Sequence, residues 1–141
     1  TKVYCFGSSE CDQFPCDDDS YESRRPLIIS LPSPLSISPQ ITKVLCGALH
    51  SVLLSSSGEV FTWGCNDDGV LGREGTESVP CKVPLQIPVD LISVGDSHCV
   101  AANSKGGLVY YWGVYRNTLK GNIGDVVRAP TPLWSQQFKG K

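Results

Sequence analysis

The residues with the widest chemical reach in this chain are two histidines set in the same short pattern, Gly47-Ala48-Leu49-His50 and Gly95-Asp96-Ser97-His98. A histidine near an acid is the raw material of general acid–base catalysis. Here both histidines, the only two of the chain, fill one recurring slot. That argues for a packing or hydrogen-bonding role first, with a partner contact by His50 or His98 as the additional reading. It leaves no Ser-His-Asp arrangement to support covalent catalysis. Asp96 is different in kind. Its counterpart is Ala48, so the pattern itself does not demand an acid. An aspartate in a turn is explained by turn chemistry as readily as by function. Cys5, Cys11 and Cys16 are spaced too widely for the tight pairs of zinc sites. Asp17-Asp18-Asp19 lacks the glycine and closing glutamate of a calcium loop, and reads as a solvated loop tip. No Gly-x-x-x-x-Gly-Lys loop is present to cradle phosphate. The expectation is a binding protein, not an enzyme, with no cofactor and no metal.

Composition narrows the classes further. Of 141 residues, 40% are hydrophobic and 18% charged, a globular balance. The net charge of −2 gives no electrostatic footprint for nucleic acid. No apolar run is long enough to span a membrane, and no signal-peptide pattern opens the chain. Seven scattered cysteines without a Cys-x-x-Cys pair read as reduced thiols of a cytosolic or nuclear protein.

The elements that must position these residues are strands. Fourteen glycines and ten prolines punctuate short apolar runs, and long stripes at helical spacing are absent. Val52-Leu53-Leu54 and Val60-Phe61-Thr62-Trp63 are rich in β-branched and aromatic residues. Ser55-Ser56-Ser57-Gly58 between them suits a hairpin turn. Lys43-Val44-Leu45 adds a third strand, and Leu85-Gln86-Ile87 or Val83 a fourth. The unit then repeats at a period near 50 residues: Gly58 to Gly64 returns as Gly107 to Gly113, and Lys2-Val3-Tyr4-Cys5-Phe6-Gly7 is half of another. Gly69-Val70-Leu71-Gly72 is matched to Gly121-Asn122-Ile123-Gly124. Arg25-Pro26-Leu27, Val79-Pro80-Cys81 and Ala129-Pro130-Thr131 open comparable stretches. A four-stranded sheet of this size is a propeller blade, which must stack on neighbours to bury both faces. The expected architecture is an all-β partial propeller of about two and a half blades. Residues 1–40 form a partial first blade, 41–88 the second repeat, and 89–141 a truncated third. Trp63 and Trp112 are expected to fill the space between blades.

The Gly-x-x-His pairs carry a resemblance, together with Trp63-Gly64-Cys65-Asn66-Asp67-Asp68-Gly69-Val70-Leu71-Gly72 and Val79-Pro80-Cys81-Lys82-Val83. The chain resembles the regulator of chromosome condensation repeat family over nearly its whole length. The resemblance implies a seven-bladed propeller of which this chain supplies part. It also implies nucleotide exchange on the small GTPase Ran in the nucleus, by binding the nucleotide-free GTPase. On that footing Asp96 takes the place of an essential acid, and Glu10 and His50 share its rim. Arg116, in an inserted loop whose extra residues lie between Arg116 and Gly121, is a further contact candidate against the plain reading of a solvated arginine. The first unit departs from the pattern at Ser9-Glu10-Cys11-Asp12-Gln13-Phe14-Pro15. The basic tail associated with chromatin contact is not in these residues, so chromatin is a partner only through other parts. The rival expectation is a propeller scaffold for protein docking without exchange activity. A short array with exposed sheet faces is also expected to self-associate.

Overall fold

A computed structural model describes residues 2–11, 13–14, 21–33, 40–117 and 122–133. Among the described residues there are ten strands and no helix. β1 (Val3–Ser8) and β2 (Glu22–Ile29) form an antiparallel pair. β3 (Ile41–Cys46), β4 (His50–Ser55), β5 (Val60–Gly64) and β6 (Cys81–Lys82) form a four-stranded meander. β7 (Leu91–Val94), β8 (His98–Asn103), β9 (Leu108–Asn117) and β10 (Asn122–Leu133) form another.

The three sheets share one register. Thr62 pairs with Cys81 and Phe61 with Lys82 in the second sheet. Tyr111 pairs with Thr131 and Tyr110 with Pro132 in the third. Cys5 pairs with Leu27 and Tyr4 with Ile28 in the first. The Pro26, Pro80 and Pro130 segments therefore enter equivalent outer strands, as their sequence correspondence implies. The β4–β5 hairpin closes through Ser55, whose N–H reaches the Glu59 carbonyl at 2.9 Å. Gly58 takes the positive φ of 80° that its turn requires.

Two expectations need correction. The outer strand of the second sheet is Cys81–Lys82, not Leu85-Gln86-Ile87; Val83, directly after it, still donates its N–H to the Val60 carbonyl of β5 at 2.9 Å. Pro84 and Pro88 carry no N–H, so the segment after Val83 cannot extend the ladder. It serves as a connector whose Leu85 and Ile87 pack on the core. Second, Asn122-Ile123-Gly124 does not repeat the Gly69–Gly72 loop. It lies in β10, with Asn122 opposite Asn117 and Ile123 opposite Arg116. Val109, Tyr111, Val114, Val126 and Val127 are strong strand formers, so β9 and β10 pair out to Asn117 and Asn122 on either side of the insertion. Gly121 lies outside the described residues.

Blade stacking follows from strand alternation. Leu53, Phe61 and Trp63 of the second sheet join Val3 and Ile29 of the first in one apolar cluster. Val52, Leu54 and Val60, on the opposite face, join Ile92, Cys99, Ala101, Tyr110 and Trp112 of the third. β4 is therefore buried on both faces, as a strand in the middle of a stack must be. Trp112 is fully buried, and its indole N–H donates to the Val70 carbonyl at 2.8 Å. Tryptophan thus fills the space between blades and ties them with a hydrogen bond. The first unit has Phe6 in that slot, 71% exposed.

Candidate functional site

One end of the sheets gathers the turns that carry the candidate residues. The Gly-x-x-His turn closes identically in the second and third sheets: Gly47 N–H reaches the His50 carbonyl at 2.8 Å, and Gly95 N–H the His98 carbonyl at 2.8 Å. In each, the histidine ring folds back over the glycine. A Cβ at position 47 would lie 2.1 Å from His50 Cε1, and one at 95 would lie 2.2 Å from His98 Cε1. Only glycine fits beneath the ring, which is the physical content of the motif. The two turns also touch. Ala48 N–H donates to the Asp96 carbonyl at 3.1 Å.

The shared slot has two different outcomes. His50 is 2% exposed, with Nε2 3.4 Å from Cys99 Sγ. Burial, helped by His98, pushes its pKa down to about 4. Burial likewise pushes the Cys99 thiol up to about 12. Both groups are therefore neutral near pH 7. A nucleophilic cysteine–histidine pair needs a thiolate and an imidazolium, so this pair binds blade to blade instead. His98 is exposed. Of the two histidines, then, His98 is the one open to a partner and His50 supports the turn from beneath.

Asp96 is exposed at the apex of its turn. Its backbone carbonyl serves the fold, and among the described residues its carboxylate forms no hydrogen bond or ion pair within the chain. Glu10 is also exposed. It follows Gly7 by three residues, as Asp67 follows Gly64 and Arg116 follows Gly113. The departures in the first unit are compensated locally. Ser9 Oγ accepts from Phe14 N–H at 3.1 Å and donates to the Phe14 carbonyl. In the second unit Asn66 Oδ1 accepts from Leu71 N–H at 3.0 Å. Ser9 thus stands for Asn66, and buried Phe14 for Leu71. Arg116 lies not in a loop but in β9, opposite Ile123. The structure joins the Asp96 and Ala48 turns directly. Glu10 and Arg116 occupy the corresponding ends of the first and third sheets.

Three residues that sequence reasoning did not single out hold this rim. Arg73 is 7% exposed and donates to the carbonyls of Thr62 at 2.6 Å and Thr76 at 2.8 Å. Burial lowers its pKa. Asn66 donates to the Arg73 carbonyl at 3.1 Å. Arg128, from β10, donates to the carbonyls of Asn66 and Asp67. A signal for Arg73 existed: it is a lone cation directly after the Gly-x-Leu-Gly segment. Arg128 had none, because its bonds cross from one blade to another.

Among the described residues no group of three or more His, Cys, Asp or Glu is placed to hold a metal ion. Cys16 and Asp17–Asp19 lie outside the described residues. At the opposite end of the second sheet is an open cleft of about 500 Å³, lined by Ser57, Glu59, Lys82, Leu85 and Ile87 among others. Lys82 and Glu59 pair across it at 2.5 Å.

Stacked four-stranded meanders with turns collected at one rim define a segment of a β-propeller. A family model described as "Regulator of chromosome condensation (RCC1) repeat" matches residues 57–102, and a second model of the same repeat matches residues 41–70. The human protein named Regulator of chromosome condensation is 38% identical over 126 residues, covering 86% of this chain and 28% of that protein. The ultraviolet-B receptor UVR8 of Arabidopsis thaliana is 37% identical over 118 residues, covering 77% of this chain and 26% of its own. A crystal structure of Prp20p from Saccharomyces cerevisiae superposes with a TM-score of 0.72 at 25% identity, covering 94% of this chain and 34% of that one. Human WBSCR16 superposes with a TM-score of 0.69 at 27% identity, covering 93% and 34%. The chain belongs to the regulator of chromosome condensation repeat family. It spans under a third of the length of the curated relatives named here.

Proposed function

We propose that this chain is part of a guanine nucleotide exchange factor for the small GTPase Ran, acting in the nucleus. The observation that carries the reading is Asp96: an exposed acid at the rim, in a turn whose counterpart has alanine, with a carboxylate the fold does not use. Kinship supports it. The chain's relatives include the human regulator of chromosome condensation, and the yeast Prp20p structure was described with its binding to Gsp1p and histones.

Exchange requires no bond-making. A factor that binds the empty GTPase more tightly than the nucleotide-bound form must, by linkage, weaken nucleotide binding by the same factor. In this reading Asp96, Glu10 and His98 meet the GTPase from the rim, and β9 brings Arg116 to the same partner. Carboxylates at that contact compete for the basic residues that hold phosphate. His50 acts from below, by fixing the turn that touches Asp96. Chromatin contact belongs to parts of the protein outside these residues. The exposed Tyr4, Phe6 and Ile28 favour self-association of the fragment when isolated.

A second reading is favoured by the breadth of the kinship. UVR8 and the human E3 ubiquitin-protein ligase HERC2, 36% identical over 91 residues, carry related sequence under other names. On this reading the chain is a docking scaffold without exchange activity. Binding of the complete protein to Ran with and without bound nucleotide separates the two. An exchange factor prefers the empty form; equal binding to both, or none, favours the scaffold.

A further inference from the structure

The β9–β10 hairpin continues past the position where the equivalent β5 ends. β5 stops at Gly64, whereas β9 runs beyond its matching Gly113 to Asn117. A two-stranded ribbon leaving a sheet is held on neither side, so its direction depends on whatever anchors its base. The anchor here is specific. Arg128 Nη1 donates to the Asn66 carbonyl at 3.3 Å and Nη2 to the Asp67 carbonyl at 3.1 Å. Both acceptors belong to the neighbouring blade.

Three further features make the anchor stiff. The acceptor loop is locked by Asn66 and by buried Arg73, which ties it to the Thr62 carbonyl in β5. The β9–β10 register shifts between Val127 and Thr131, so Arg128 sits in an irregularity that frees it from the regular ladder. The hairpin also lies directly on the loop. A Cβ at Gly69, φ 68°, would fall 3.0 Å from Arg128 Cγ and 3.1 Å from Val126 Cγ1. Glycine at 69 permits that approach.

We propose that Arg128 is a positioning residue: it clamps the base of the β9–β10 hairpin to the loop of the preceding blade and so fixes where the segment carrying Arg116 meets the partner. The proposal rests on the exchange reading for the identity of that partner. A guanidinium suits the task because its planar fork spans two successive carbonyls, which a lysine ammonium cannot do with the same rigidity.

The test uses the complete protein and nucleotide-free Ran, with wild type measured first. Failure of wild type to prefer the empty GTPase would refute the exchange reading by itself, before any variant is compared. Given that preference, Arg128→Ala is expected to weaken association about tenfold, the scale of losing hydrogen bonds from a charged donor. Arg128→Lys should recover part of the loss. Amide hydrogen exchange should quicken in β9 beyond Gly113, with the β4–β5 core unchanged. The decisive comparison is with Arg116→Ala. If Arg128 acts through the hairpin, the double variant is little weaker than Arg116→Ala alone. Fully additive losses, or an Arg128→Ala protein that binds as wild type does, would overturn the proposal.

Discussion

His50 Nε2 stands 3.4 Å from Cys99 Sγ, across the junction of the second and third blades. The two residues occupy adjacent blades, yet each is buried by the other's sheet. The histidine slot is thus a joint between repeats as well as a feature within one.

This joint makes stability depend on pH. His50 titrates at about 4 when folded and near 6.5 when unfolded, so the unfolded chain binds the proton more readily. Stability from this group is complete above pH 6.5 and is lost as pH falls toward 4, by up to about 3 kcal/mol. Chemical denaturation of the complete protein at pH 7 and pH 4.5 measures the loss. A His50→Gln variant should show a smaller loss over the same interval; an identical loss in both proteins would remove His50 as its source.

Thiol reactivity should divide sharply. Cys99 is fully buried and its thiol is pushed up to about 12, whereas Cys46 is exposed. Thiolate is the reacting species, so Cys46 should be alkylated readily at pH 7.5 and Cys99 only on unfolding. Peptide mapping after timed alkylation reads both sites. Labelling of Cys99 at the Cys46 rate in folded protein would contradict the burial.

Arg73 is expected to matter for folding more than its charge suggests. Arg73→Ala leaves the Thr62 and Thr76 carbonyls without their donor and opens a void beneath the β5–β6 loop. A cost of about 3 kcal/mol is expected, with Arg73→Lys recovering less than half, since one ammonium cannot reach all the acceptors. Urea denaturation of the complete protein measures both. A change under about 0.5 kcal/mol would place Arg73 among ordinary surface residues.

Much of this was legible in the sequence, for a physical reason. The stacking of blades repeats the same packing problem, and the repeat solves it with the same residues: glycine under histidine, tryptophan between sheets, proline entering the outer strand. The three-sheet register and the buried tryptophans follow from that. What stayed hidden lies between repeats. Arg128 bonds a loop about 60 positions away. His50 and His98 look equivalent in sequence and differ in exposure because only one is covered by Cys99. Gly121-Asn122-Ile123-Gly124 looked like a repeat of the Gly69–Gly72 loop because its glycines have the same spacing. Asn122 and Ile123 instead pair with Asn117 and Arg116 as part of β10. For the rim, sequence comparison could set Asp96 apart from Ala48, but only the structure relates their turns through a hydrogen bond.

The central claim is that the rim carries exchange and that Asp96 is its acid. The most direct measurement is the rate of nucleotide release from Ran catalysed by the complete protein and by its Asp96→Asn form. Asparagine keeps the turn and removes only the charge. The account expects release to slow by more than about tenfold, the scale of losing one partner of a charge pair at an interface, with thermal stability unchanged. An Asp96→Asn protein that releases nucleotide at the wild-type rate would contradict it.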